Sequence, residues 1–221
     1  MPATTVDRPV WRRFDSRFYD RAVDWVRAGG AAAVVMPPSS PRPGAPRRVD
    51  MLLRTDAAGE ITELALWSLL SLEQRRWVRV PRGPGKGLGI ARVQPHAVDA
   101  VLDWCERDSV HPRPTRRLRL DCLDCGACCH DSNVVLGDDD LDRFRAAGRE
   151  DLLGSRFIQR RAGKLRLRFA PGGRCQHLKR DLKCRIYPIR PFNCSVFPVA
   201  SEACLSARET TLSLRDGAAG M

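Results

Sequence analysis

The chain is expected to be α+β, with a small α+β domain preceding an irregular, cysteine-rich one. Three observations lead there. Helical periodicities and short apolar runs of strand length are interleaved up to about residue 108. Eight of the nine cysteines fall between Cys122 and Cys204. Between these regions lies SVHPRPTRR (109–117), which has the composition of a linker. The expected organisation is an N-terminal α+β domain at 1–117, a cysteine domain at 118–210 and a tail at 211–221.

In chain order, Asp15 or Ser16 can cap a helix that runs to about Ala28. Phe14, Phe18, Ala22 and Trp25 recur at helical spacing, and Gly29-Gly30 stops the element. Ala31 to Met36 has the length and character of a strand, and Pro37 to Pro46 that of a loop. Val49–Arg54 and Ile61–Leu66 flank TDAAGE and predict two strands around a turn. Trp67–Trp77 is expected to be helical and Val78–Val80 a short strand. PRGPGKGLG (81–89) lacks the Walker spacing and reads as a flexible surface loop. Pro95–Asp108 predicts a helix with Val98, Val101, Leu102 and Cys105 on one face, which makes Cys105 a core thiol.

In the second half, Asp138–Ala147 predicts a helix with aspartates at its positive end and Gly148 as its cap. Arg156–Arg161 and Lys164–Phe169 predict a hairpin around Ala162-Gly163. Cys175–Pro198 is dense in cysteine, proline and aromatic residues and predicts loops. A last helix is expected over Ser201–Thr210, carrying Cys204.

Composition limits the function classes. Of 221 residues, 43% are hydrophobic and 29% charged, as in a chain that can bury a core. The N-terminus has no apolar leader, and no apolar run approaches membrane-spanning length, so a cytoplasmic location without membrane association is expected. In that compartment thiols stay reduced, and clustered cysteines point to metal or redox chemistry. The net charge is +12, but only four of 38 basic residues are lysines. With no helix-turn-helix or aromatic RNA-binding signature beside the charge, no specific nucleic-acid partner is expected.

Cys122, Cys125 and Cys128 have the spacing C-x2-C-x2-C, and Cys129 follows directly. Two intervening residues let a tight turn aim both sulfurs at one ion, and Gly126 can take the positive φ such a turn needs. The run opens like a bacterial ferredoxin motif but departs from it at Cys129-His130. Cys175, Cys184, Cys194 and Cys204 follow at near-even intervals. The eight can make two four-sulfur sites, or one site with thiols to spare. His130 and His177, each close to a cysteine, are alternative ligands. Arg174, Arg180, Lys183, Arg185 and Arg190 are candidates to offset thiolate charge.

C-x2-C-x2-C-C, then C-x-x-L, then C-x-I-Y-x-x-R-P-x-x-C-x-x-F-P resembles the bacterial CxxCxxCC cysteine-cluster family, also called YkgJ-type. The resemblance runs through Cys122, Cys125, Cys128, Cys129, Cys175, Leu178, Cys184, Ile186, Tyr187, Arg190, Pro191, Cys194, Phe197 and Pro198, and extends to Cys204. It implies chelation of zinc or iron by those eight cysteines and supplies no reaction. The family includes flagellin lysine N-methylases, so a protein N-methylase-like activity is one implied alternative. All-thiolate coordination suits an iron–sulfur cluster or Zn²⁺. The triple C-x2-C-x2-C run favours the cluster, and the knuckle-like Cys125-Gly126 favours zinc. The expected roles are a metal-binding or electron-carrying module with a protein partner, a zinc-held structural or interaction module, or an enzyme.

Overall fold

The computed structural model describes residues 4–37, 47–130 and 133–215. Most of the expected loop Pro37–Pro46 lies outside them. The chain forms two compact units. One comprises residues 5–118 together with 200–205 and Arg215, the other residues 119–199 with 206–214. The fold is α+β, as the interleaved periodicities imply.

The first unit contains β1 (Thr4–Pro9), β2 (Trp11–Asp15), α1 (Tyr19–Arg27), β3 (Ala31–Met36), β4 (Arg48–Leu53), α2 (Glu63–Ser71), β5 (Val78–Arg79), β6 (Gly89–Arg92), α3 (Val98–Arg107) and most of β7 (Thr115–Leu120). Its sheet has the order β2-β3-β4-β6-β5, while β1 pairs with β7 in a separate ladder. β2 and β3 are parallel, with Trp11 opposite Ala31 and Asp15 opposite Val35, and the remaining pairs are antiparallel. The parallel pair requires a crossover connection, which α1 supplies.

Both faces of the sheet are covered. Ala31, Ala33, Val49, Met51 and Leu53 pack with Leu69 of α2 and with Val101 and Trp104 of α3. The alternate residues Ala32, Val34 and Leu52 pack with Ala22, Val23 and Val26 of α1. Burial on two sides explains why AAAVVM and VDMLL read as nearly unbroken apolar runs. Trp11 and Trp104 meet at 5.3 Å between ring centroids. Cys105 is buried in the α2–α3 side of this core, as its helical position predicts.

Asp15 accepts a hydrogen bond from the Arg17 N–H and opens a short 3-10 turn before α1. The helix stops where expected. Gly29 has φ +106°, and a Cβ on Gly30 would fall 2.3 Å from the indole nitrogen of Trp25.

Four expectations are corrected. Ile61–Leu66 does not form a strand; only Ile61 makes a bridge, to Thr55, and α2 starts at Glu63. Ala65, Ser68, Leu69 and Leu72 are the buried positions here, the apolar ones at four- and three-residue spacing, so the core selects the helical period. α2 consequently ends at Ser71, and the helix expected to reach Trp77 does not. β6 starts at the end of the glycine-rich loop, and β7 occupies the end of the expected linker.

A buried ionic cluster closes the first unit. Arg8 of β1 bonds Asp108 (Nη1–Oδ1, 3.0 Å) and Glu202. Arg107 bonds the same two acids, at 3.0 and 2.8 Å. The Trp11 N–H donates to Asp108 Oδ2 at 3.0 Å. All four charged residues are at most 4% exposed. Two cations and two carboxylates cancel, which makes burial of each tolerable. Glu202 comes from segment 200–205, far along the chain, so this unit is not complete at the linker.

The second unit contains α4 (Cys122–Cys125), α5 (Asp138–Ala146), the hairpin β8 (Ile158–Arg161) and β9 (Lys164–Leu167), α6 (Phe192–Ser195), and the later turns of α7 (Glu202–Leu212). Residues 134–136 add a lane beside β9: the Leu167 N–H donates to Val134 O and the Leu136 N–H to Leu165 O. Two small apolar clusters, around Leu136, Ile158 and Leu167 and around Phe144, Leu152 and Ile186, are its core. Among the described residues no helix is long and apolar enough to cross a membrane.

Burial alone would raise the Asp108 carboxyl, but the charges of Arg8 and Arg107, with bonds from Arg107 and the Trp11 N–H, hold it below the ordinary carboxylate range. A depressed folded-state value contributes stability above the ordinary range, lost as the pH falls through the folded value. Asp108→Asn is therefore expected to destabilise the protein by about 3–5 kcal/mol in neutral urea titrations. In acid the gap between variant and wild type should narrow; an equal gap at both pH values contradicts the role given to Asp108.

Candidate metal centre

The first cysteine segment is shaped by local backbone chemistry. Asp121 caps α4 by accepting from the Leu123 N–H at 2.8 Å. One turn later Gly126 takes φ +59°, and a Cβ there would meet Leu178 Cδ1 at 3.0 Å and Leu182 O at 3.1 Å. Both the dihedral and the crowding call for glycine. The chain then enters a 3-10 turn over Ala127–Cys129, with the Cys129 N–H donating to Gly126 O.

Backbone bonds bring the second segment alongside. The Cys175 N–H donates to Cys129 O at 2.8 Å, and His130 bridges to Arg174. Cys184 is brought back by a bridge to Leu178 and by bonds from the Arg185 N–H to His177 O and from the Lys179 N–H to Lys183 O. Arg174 Nη2 donates to the carbonyls of Leu178 and Lys179 inside that turn.

Cys194 lies on α6, and Asp140 anchors the segment that carries it. This 3%-exposed carboxylate accepts from its own helix start, Gly137 N–H, at 3.1 Å, and from Phe192 N–H at 2.7 Å. Arg143 Nη1 bonds Asp140 (3.2 Å) and Arg190 O (3.0 Å), and Asn193 Nδ2 donates to Val135 O. The acidic run Asp138–Asp140 does start a helix, as the sequence predicts, but its third member also holds a cysteine loop in place.

The thiols influence one another electrostatically. A hydrogen bond from Cys129 lowers Cys128 to about 7, aided by a backbone bond and the Arg190 charge and opposed by burial. Cys129 is correspondingly raised by its bond to Cys128 and by burial, with further contributions from the charges of Cys128, Cys175 and Cys184. Burial pushes Cys194 up to about 12, reinforced by the charges of Cys128, Cys175 and Cys184. Cys122, Cys175 and Cys184 are raised chiefly by burial, and each also feels the charge of Cys128. Cys125 contributes to the shift of Cys122 and accepts a hydrogen bond from Arg208 Nη1 at 3.0 Å. Seven thiols, Cys122, Cys125, Cys128, Cys129, Cys175, Cys184 and Cys194, thus form one linked set within the second unit. Among the described residues no group of three His, Cys, Asp or Glu side chains has the spacing of a closed ion site.

The remaining sequence candidates are placed as follows. Cys204 is buried near the start of α7, with its N–H donating to Ser201 Oγ, in segment 200–205 of the first unit. His130 Nδ1 is buried with no hydrogen-bond partner among the described residues, so it is available as an additional donor. His177 is a core ring stacked on Phe157 at 4.8 Å; burial and the charges of Arg149 and Arg185 lower it to about 4, so it is neutral. Of the five cations expected to offset thiolate charge, Arg190 fits best, since its charge favours the thiolates of Cys122, Cys128, Cys184 and Cys194. Its guanidinium lies 4.3 Å over the Tyr187 ring. Arg174 serves carbonyls instead, Lys183 pairs with Asp124, and neither Arg180 nor Arg185 bonds a sulfur. Phe192 is 57% exposed and so does not shield the thiols as a buried aromatic would.

Sequence reasoning missed Asp140 and Arg208. Asp140 stands at the third residue of its helix, where a carboxylate can reach back to the preceding N–H, so its local role had a signal. Arg208 is separated from Cys125 by 83 residues and had none. A donor set of thiols, with arginine at its edge and an unpartnered imidazole nitrogen beside it, fits a soft metal centre.

Residues 121–213 match the CxxCxxCC family model, described as "Putative zinc- or iron-chelating domain". No curated protein and no solved structure matches the chain. With cysteines at that family's spacing within one compact unit, residues 121–213, under half of the chain, are similar to the CxxCxxCC family of metal-chelating domains.

Proposed function

We propose that the cysteine domain holds an iron–sulfur cluster and that the protein serves as an electron-carrying or cluster-dependent module toward a protein partner. The ligands are drawn from Cys122, Cys125, Cys128, Cys129, Cys175, Cys184 and Cys194; Cys204 is not part of this assignment. The observation that carries the reading is the triple C-x2-C-x2-C run of Cys122, Cys125 and Cys128, with further thiols of the same unit beside it. Zinc and a cluster each take four protein ligands, so the spacing of this run, and not the number of thiols, favours the cluster. When bound, a cluster supplies a one-electron couple whose potential follows charge, hydrogen bonds to sulfur and solvent exposure. The protein's own part is local. Arg208 donates to the Cys125 sulfur, Arg190 favours the thiolates, and Asp140 and Arg174 hold the loops that carry them. A reducing compartment such as the cytosol is the setting these free thiols require.

A second reading is a zinc-held structural or interaction module. It is favoured by the reversal at Gly126, which between Cys125 and Cys128 has the form of a zinc knuckle.

Protein purified without oxygen is expected to be brown, to contain iron and acid-labile sulfide, and to bleach with reductant. Stoichiometric zinc without iron replaces this reading with the second, and absence of both metals refutes both. Cys128→Ser should lose metal whereas Cys105→Ala, in the other unit's core, should retain it.

Asp140→Ala removes the acceptor for the N–H groups of Gly137 and Phe192, at a cost of about 0.5–1.5 kcal/mol for each hydrogen bond lost. The loop bearing Cys194 should loosen, and a chelator should strip metal from the variant faster than from wild type. Equal stripping rates would remove Asp140 from the metal-holding structure.

A further inference from the structure

A separate feature of the second unit is a hollow of about 530 Å³ beside the β8–β9 hairpin, lined in part by Arg161, Arg166, Gln159, Asn133 and Phe169. Strand alternation explains its chemistry. Gln159 and Arg161 are two apart on β8, Gln159 pairs with Arg166, and Arg161 pairs with Lys164, so all four share one face. Val135 bridges to Arg166 and places Asn133 beside that face. The opposite face takes Ile158 and Leu167 into the core. One side of this small hairpin therefore carries three cations, and no acidic residue lines the hollow among the described residues.

Several other cations of this unit are paired. Arg143, Arg145, Arg149, Lys179 and Lys183 each stand within 4 Å of a carboxylate. Arg161 and Lys164 have no ion pair among the described residues. Among the described residues the Arg166 side chain bonds only the neutral side-chain oxygen of Asn133, and its Nε is shielded from solvent without a partner. An unpartnered guanidinium N–H in a cationic hollow is an unmet demand for an acceptor. The volume is that of a small-molecule site, and Phe169 offers a ring to an apolar body.

We propose that this hollow binds a small phosphate monoester, with Arg161 and Arg166 holding its phosphate group and Phe169 its organic part. A phosphate monoester carries about −1.5 to −2 charges at neutral pH, matching a site lined by two guanidinium groups better than a single carboxylate does. Planar guanidinium groups suit its oxygen geometry. The site is independent of the metal reading, since none of these residues is a thiol.

Calorimetry on the full chain at low salt tests this with phenyl phosphate, inorganic phosphate, benzoate and a single-stranded oligonucleotide. Phenyl phosphate is expected to bind at one site, more tightly than inorganic phosphate or benzoate. Arg161→Gln and Arg166→Gln should each weaken it about tenfold, the effect of losing one charge-assisted hydrogen-bonding partner. Arg160→Gln, on the opposite face of β8, should leave it unchanged. Arg161 is exposed, so its variant keeps the test valid if Arg166→Gln fails to fold. Absence of phenyl phosphate binding, unchanged binding in Arg161→Gln, or benzoate or inorganic phosphate binding as tightly overturns the proposal. So does an oligonucleotide that binds more tightly and is weakened equally by Arg160→Gln and Arg161→Gln, which marks a diffuse polyanion surface.

Discussion

Thiolates brought together repel one another, and the second unit is organised around that repulsion. Cys128 lies at its centre: its charge raises Cys122, Cys129, Cys175, Cys184 and Cys194. Without a counter-charge, such an array favours protonated thiols. A metal centre reverses the balance, because coordination removes the proton and supplies positive charge among the sulfurs. The metal is thus the ingredient that turns an electrostatic cost into a source of stability. Arg190 and Arg208 can compensate only part of it from the edge.

Given that cost, something other than the sulfurs must hold the cysteine segments close. Apolar packing is limited, since the unit has two small clusters and few regular elements. Backbone polar groups do much of the holding. Cys175 is tied to Cys129 by a main-chain bond, Cys184 to Leu178 by a bridge, and Phe192, next to Cys194's neighbour, to Asp140 by a side-chain cap. Each bond is worth little by itself. Together they fix where four cysteines begin, which a metal can then exploit without ordering a random chain.

The sequence made the cysteine pattern, β3, α3, α5 and the β8–β9 hairpin legible because each follows a local rule of spacing, period or turn chemistry. It made α2 illegible because Ile61–Leu66 satisfies a strand pattern equally well until the core residues Ala65, Leu69 and Leu72 are known. β6 and β7 were hidden for a related reason: glycine, proline and arginine in and around them outweigh a short strand signal. Segment 200–205 was read with the cysteine domain, yet Glu202 completes an ion cluster with Arg8, Arg107 and Asp108. No local rule announces a partner nearly two hundred residues away. The same limit hid Arg208 at Cys125.

Cys105 and Cys128 make the physical distinction plain. Both are cysteines in a protein rich in arginine, and both are largely buried. Around Cys105 the core is apolar, and Asp108 and Glu202 add negative charge nearby, so the thiol is driven far above its ordinary range and stays protonated. Around Cys128 a neighbouring thiol donates a hydrogen bond, a backbone group assists, and Arg190 contributes positive charge, so the thiol is held below its ordinary range despite burial. Burial is common to the two, and the sign of the surrounding partners separates them. What marks a cysteine of this chain as a candidate ligand is therefore the company its sulfur keeps, for which C-x2-C spacing is the sequence-level trace.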